Sequence, residues 1–394
     1  MSHAAGHEAA SPVLFEERPT ASGHRIGIAT LNAPRTLNGF SLAMAHLLDD
    51  RLRRWADDPA IVAVILQGAG EKAFCAGGDL HGLYRGMVEY RQAGKTDIRD
   101  NAYAAEFFEV EYRLDYRIHT FAKPILCWGH GIVMGGGIGL MAGASHRVLS
   151  ERSRVAFPEI TVGLFPDVGG SWLLAHVPDH AGVLLALTGA QLGPGDAIHA
   201  HLADHLLPEA AREAVYEAML QAQWHGQPPA DRTTLSVLLH AHELKPEPGP
   251  LQHHRDAIAA ACGRDRLDDV VAAIAALPAD DPWIATAQAT LAAGAPGSAR
   301  LGFELQRRAA AMTLADTFRM EVIASLHCAA HGDFAEGIRA LLIDKDRTPH
   351  WRPATLAEAT PDWAAGFLAS PWPAGTHPLA DLGAPAPAAP TSAP

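Results

Sequence analysis

Two rhythms of apolar and polar positions run along this chain. Strand-like runs come first: His24 to Leu31 (HRIGIATL), closed by Asn32-Ala33-Pro34, then Ile61 to Leu66 (IVAVIL), then an apolar run from Pro124 to Val133. Helical spacing alternates with them. Ser41 is placed to cap a helix reaching about Trp55, with Met44, Leu47, Leu48, Leu52 and Trp55 on one face. A second helix is expected from about Ala104 to Thr120, with Phe107, Leu114 and Ile118 on one stripe. Glu111 falls on that stripe, where an unpaired carboxylate is costly. Glu106 and Glu109 fall off it and read as solvated. The polar stretch 93–103 is expected to be mobile. After the Pro124–Val133 run come Gly135-Gly136-Gly137 and a small-residue helix, Ile138 to Ala144. Two short helices follow in 177–208, and from about 209 the pattern is helical apart from the proline-rich loop 245–251. Strand and helix in alternation predict an α/β core with its turns gathered on one side.

Composition narrows the classes. The chain has 394 residues, room for one large domain or two moderate ones. A formal net charge of −13 argues against a nucleic-acid partner, which needs a basic surface. No apolar run approaches a membrane span of about 18 residues. The opening MSHAAGHEAASP has neither a basic, apolar leader nor the arginines of a mitochondrial presequence, so the cytoplasm is the expected compartment. Residues 1–11 and the Pro/Ala-rich 383–394 are expected to be disordered. The four cysteines are far apart and read as reduced, buried thiols. Cys75 has no histidine near it in sequence and reads as a small core residue. None of the 22 histidines has metal-ligand spacing; His253-His254 reads as a solvated helix end, and no metal site is expected.

The candidate chemistry lies at two glycine turns. GAGEKAFCAGGDL (68–80) and GGGIG (135–139) each follow a strand and precede a helix. Neither is a dinucleotide fingerprint or a phosphate loop. Glycine lets the backbone come close to a ligand, and a helix start presents free N–H groups. Two such turns can each give one N–H to a shared oxygen, an oxyanion hole; the competing reading is two tight turns that merely need glycine. Glu159 and Asp167 follow in a loop-like Pro/Gly-rich segment. Asp167 also suits a turn cap at Pro166–Gly169, and Glu111 also suits a structural ion pair.

AFCAGGDL (73–80) and HGIVMGGGIGL (130–140) resemble the two signature segments of the enoyl-CoA hydratase/isomerase (crotonase) superfamily. RVAFPEITVGLFPDVGG (154–170) and LTGAQLGPGDAIHAHLADHLL (187–207) extend the likeness. Within it, GLFPDVGG, FFEVEY around Glu111 and residues 332–360 are most similar to the 3-hydroxyisobutyryl-CoA hydrolase family. The resemblance covers most of residues 12–370. It implies a crotonase-like (ClpP/crotonase) core of stacked ββα turns over 12–205 carrying the active site, followed by a mostly helical region, 206–382. It also implies an acyl-CoA thioester as substrate, with coenzyme A part of that substrate and no separate cofactor. Gly78 and Gly136 match the oxyanion-hole positions, Glu159 and Asp167 the working carboxylates, and Glu111, Gly136, Glu159 and Asp167 the substrate-binding set.

One departure bears on the reaction. Hydratases of the superfamily carry a catalytic Glu where this chain has Gly139. The resemblance therefore favours a hydrolase of a short, branched β-hydroxyacyl-CoA, as in valine breakdown, over an enoyl-CoA hydratase or isomerase. A non-catalytic acyl-CoA-binding protein is the reading from another class. In the hydrolase reading Glu159 either attacks the thioester or activates water. Asp167 either holds the substrate's 3-hydroxyl or helps protonate the thiolate. Arg35, Lys72 and Lys123 are the cations considered for the CoA phosphates. Self-association is compatible with the long helical region.

Overall fold

A computed structural model describes residues 11–384. Residues 1–10 and 385–394, which hold most of the expected disordered lead and tail, lie outside the described residues.

Among the described residues nine strands form two sheets. The larger has the order β1 (Val13–Pro19), β2 (Arg25–Leu31), β3 (Ile61–Gly68), β5 (Ile125–Gly129), β7 (His146–Leu149) and β9 (His205–Leu206). Only the β1–β2 pair is antiparallel. The smaller sheet is parallel, in the order β4 (Ala73–Cys75), β6 (Ile132–Met134), β8 (Arg154–Ala156). The chain alternates between them. A strand of the large sheet, then one of the small sheet, then a helical corner make one turn. This happens three times: β3, β4 and the helix Leu80–Gln92; β5, β6 and the helix Gly136–Ala142; β7, β8 and the 3-10 helix Glu159–Val162.

The apolar run at 124–133 is therefore not one strand, as its pattern predicts, but two strands in different sheets. The break is at Gly131, whose φ is 59° and where a Cβ would lie 2.2 Å from the Lys72 carbonyl oxygen. Only glycine allows that hand and that approach. Strand β1 is also absent from the sequence reading, because Glu16, Glu17 and Arg18 interrupt its apolar signal. The stretch 93–103, expected to be mobile, contains a 3-10 helix, Ile98–Asp100, with Ile98 buried and Asn101 capping the next helix.

Both faces of the large sheet are covered, which explains its near-continuous apolar strands. In β5, Ile125 and Cys127 point into the main core, while Leu126 and Trp128 pack under Val215, Met219 and Leu235 of the 206–382 region. Ser41 caps the helix Leu42–Asp57, as its position predicts, and Met44, Leu48, Leu52 and Trp55 are buried; Leu47 is at the surface. All four cysteines are free and buried.

The helical region also reaches the third corner. The helix Phe334–Ile338 packs on Glu159–Val162 with backbone against backbone. A Cβ on Gly337 would lie 2.3 Å from the Val162 carbonyl carbon, and one on Gly163 (φ 76°) 2.5 Å from the Asp333 carbonyl oxygen. Gly337→Ala should gain at most about 1 kcal/mol of helix propensity against a rigid clash costing about 1–3 kcal/mol. The expected outcome is a lower denaturant midpoint with an unchanged m-value; an unchanged or higher midpoint would show that this contact is slack.

Candidate functional site

The three corners place the candidate residues side by side. β4, β6 and β8 run parallel and paired, with Cys75 opposite Val133 and Met134 opposite Ala156. Gly78 lies just past the end of β4, Gly136 past β6 and Glu159 past β8. Chains leaving a parallel sheet in step arrive at neighbouring points. A Cβ built on Gly136 would sit 3.5 Å from the Gly78 amide nitrogen and 2.6 Å from Glu111 Oε1; one built on Gly135 (φ 50°) would sit 3.0 Å from Glu159 Oε1. No side chain fits at 135 or 136 without displacing a carboxylate. Among the described residues neither the Gly78 nor the Gly136 amide has a hydrogen-bond acceptor, whereas the flanking Asp79 N–H donates to the Phe40 carbonyl.

One cavity is lined by Gly78, Gly136, Glu111, Glu159 and Asp167. Its other wall is apolar, with Leu83, Phe107, Phe108, Val162, Leu164 and Phe334. Leu341, from the π-helical turn Arg339–Ile343, is partly exposed at the edge. A groove lined by Arg35, Thr36 and His81 shares Ala76, Gly78 and Leu80 with this cavity. Arg35 thus lies beside the site. Lys123 does not: its Nζ donates to the Trp55 and Asp58 carbonyls, so it clamps a helix end. Lys72 is exposed and lines neither space.

The acids are deeply buried. Glu111 is 2% exposed, Glu159 5% and Asp167 5%. Glu159 stands in a 3-10 helix rather than a loop, and its Oε2 has no partner. Asp167 is no side-chain turn cap. Its carbonyl takes the Gly170 N–H, and its Oδ2 takes the Tyr112 hydroxyl at 2.7 Å. Glu111 is in no ion pair, since no lysine or arginine bonds to it among the described residues.

Three further residues escaped the sequence reading. Asp115, four after Glu111 on the same stripe, is fully buried with both carboxyl oxygens unpartnered. Its Oδ2 would be 2.7 Å from a Cβ on Gly139, and Val168 Cβ 2.8 Å. The space a side chain at 139 would need is already taken. Glu321, on the helix Leu314–His331, accepts from Gly169 N–H at 2.7 Å and Ser171 N–H at 3.0 Å, which fixes the turn after Asp167. Ser325, on the same helix, lies 2.8 Å from the Tyr112 hydroxyl. Stripe position signals Asp115; nothing local signals Glu321 or Ser325, whose partners lie some 150 or more residues away.

Burial without a cation raises every one of these acids. Desolvation leads for all five, and neighbouring carboxylates add to it for all but Asp167. Glu111, Asp115 and Glu159 are pushed well above the ordinary carboxylate range. Glu321 rises to about 8, and Asp167 only to about 6 because the Tyr112 hydroxyl favours its charged form. Burial likewise pushes the Cys75 thiol up to about 12, which removes it as a nucleophile. Among the described residues no group of His, Cys, Asp and Glu has the arrangement to hold a metal ion. His254 instead meets Asp281 at 2.7 Å. No described helix is long and apolar enough to cross a membrane.

Known proteins share this architecture. Residues 26–368 match the family model described as enoyl-CoA hydratase/isomerase. The chain is 36% identical, over 90% of its length and 88% of the relative's, to "3-hydroxyisobutyryl-CoA hydrolase, mitochondrial" of Danio rerio. It is 33% identical, over 90% and 88%, to the protein of the same name in Gallus gallus. Both names carry a mitochondrial location, in contrast to the cytoplasm expected from the opening residues. Among solved structures, an enoyl-CoA hydratase from Rhodobacter sphaeroides superposes with a TM-score of 0.78 at 34% identity, covering 91% of this chain and 97% of that one. With its stacked ββα turns and its family match over most of its length, this chain belongs to the enoyl-CoA hydratase/isomerase family and has the crotonase-like fold.

Proposed function

We propose that this protein hydrolyses acyl-CoA thioesters, and that its substrate is 3-hydroxyisobutyryl-CoA or a close short-chain relative. The observation that carries the reading is the meeting, in one cavity, of two acceptor-free amides with the buried acids Glu111, Glu159 and Asp167. The names of the relatives in Danio rerio and Gallus gallus support the same reaction.

In this reading the thioester carbonyl oxygen takes the N–H groups of Gly78 and Gly136. Attack at the carbonyl carbon turns that oxygen into an anion, and fixed donors stabilise it without reorganising. Glu159, beside Gly135, either attacks to give an acyl anhydride or takes a proton from an attacking water. The C–S bond then breaks and coenzyme A leaves as the thiol after protonation; the acid is released directly where water was the attacker, and in the anhydride route after a water hydrolyses the bond between the acyl group and Glu159. Asp167 either holds the 3-hydroxyl or supplies that proton. The wall of Leu83, Phe107, Phe108 and Val162 suits a short branched chain. The groove beside Gly78, with the exposed Arg35, is the path we assign to the CoA tail. The reaction calls for no metal or redox cofactor.

The hydratase reading is opposed by Gly139. The resemblance places a catalytic acid there in hydratases, and Asp115 and Val168 fill the space such a side chain would need. Thiol release measured across several acyl-CoAs separates the readings. Coenzyme A release supports hydrolysis, loss of enoyl absorbance without thiol supports hydration, and binding without turnover supports a non-catalytic role. Glu159→Gln should lower kcat for thiol release by about 10²–10⁴-fold; retention within a few-fold would remove Glu159 from the chemistry. One turnover in ¹⁸O water should label Glu159 if an anhydride forms and water opens it at the Glu carbonyl; hydroxylamine trapping at Glu159 detects an anhydride that water opens at the acyl carbon, and direct attack gives neither signal.

The pH dependence has a definite sign. Glu159 must be ionised to act and burial raises its pKa, so kcat/KM should climb with pH along a limb lying above the ordinary value of about 4.3. Stability should run the other way. Raised folded-state values make the protonated acids stabilising, a contribution complete below the unfolded values and lost as pH rises through about 6 for Asp167 and about 8 for Glu321. The unfolding free energy measured by denaturant should fall between about pH 5 and 8; a profile that rises across that window would contradict these shifts.

A further inference from the structure

Asp167 has one side-chain donor. It sits on a turn with left-handed Val168 (φ 54°) and Gly169 (φ 79°), which Glu321 grips from the helix Leu314–His331. The titratable groups that face it are Glu111, Asp115 and Tyr112 from the helix Ala102–His119, Glu159 from its 3-10 helix, and Glu321 and Cys328 from the helix Leu314–His331. None is a cation. Tyr112 and Ser325 are both fully buried, and their hydroxyls form a chain: Tyr112 Oη lies 2.7 Å from Asp167 Oδ2 and 2.8 Å from Ser325 Oγ. A phenol has one proton. Spent on Asp167, it leaves Tyr112 Oη as an acceptor, and Ser325 donates to it.

We propose that Tyr112, backed by Ser325, is the positioning residue that holds Asp167 as an oriented carboxylate. Chains of hydroxyl donors polarise one another, so Ser325 strengthens the bond Tyr112 makes. Asp167 then loses its proton before Glu111, Asp115 and Glu159, which lack any such donor. The inference rests on the thioesterase reading for its consequence, which is a choice between two roles. A carboxylate already ionised and tied at one oxygen accepts the hydrogen bond of a substrate 3-hydroxyl; it is not the acid that protonates the departing thiolate. Tyr112 thereby contributes to selection of 3-hydroxylated acyl chains.

The test is a carboxyl ¹³C titration of the full chain labelled at aspartate, with the Asp167 signal assigned by its loss in Asp167→Asn. In Tyr112→Phe the midpoint should rise by about one pH unit, as expected for loss of a hydrogen bond to a charged group. Ser325→Ala, which leaves the phenol in place, should move it the same way by less. An unchanged midpoint in Tyr112→Phe overturns the proposal. In the kinetic arm, Tyr112→Phe should lower kcat/KM for 3-hydroxyisobutyryl-CoA about tenfold more than for isobutyryl-CoA; equal losses on both overturn the assigned role. Should the wild type release no thiol from either substrate, the thioesterase reading falls, while the titration still decides whether Tyr112 holds Asp167.

Discussion

The pairing of β4, β6 and β8 at their C-terminal ends is the constraint on which the site depends. Parallel strands with fixed register release their chains at matched points, so the corner after each strand lands beside the next. Gly78, Gly136 and Glu159 are separated by dozens of residues in sequence and adjacent in space for that reason alone. The large sheet, buried on both faces, holds the three turns at a fixed spacing, and the glycines let the corners close to within contact distance.

A second constraint follows from the first. The corners enclose acids that are largely shielded from bulk water and, among the described residues, have no cation beside them. Such a cluster can persist only if protons are shared and backbone donors are well placed. Helices distant in sequence supply that order. Glu321 caps the turn after Asp167, Ser325 backs Tyr112, and Gly337 seats the Glu159 helix. The 206–382 region is therefore part of the site's construction, and its contribution is positional.

The sequence reading succeeded where a local rule has one outcome. The GGG turn needs glycine because Gly135 has positive φ and Gly136 meets Glu111. Ser41 ends its helix as a cap does. The stripe through Phe107 and Leu114 put Glu111 inside, as found. The reading failed where two local solutions have similar cost. An apolar run such as 124–133 is satisfied equally by one strand or by two in different sheets, and only the approach of Lys72 to Gly131 decides. Asp115, four residues after Glu111 on the same stripe, falls under the same rule, and the space it fills is seen only where Gly139 faces it.

Taken alone, the amino-acid order determined the kinds of element, the glycines that must remain glycine, the acids that fall on buried faces and the family likeness, because each depends on neighbours a few residues apart. The tertiary structure decided which acids meet, which of them a buried hydroxyl donates to, and which cation stands beside the groove. Those are set by dielectric and distance between groups as much as 213 residues apart, as with Tyr112 and Ser325, and a linear sequence carries neither quantity.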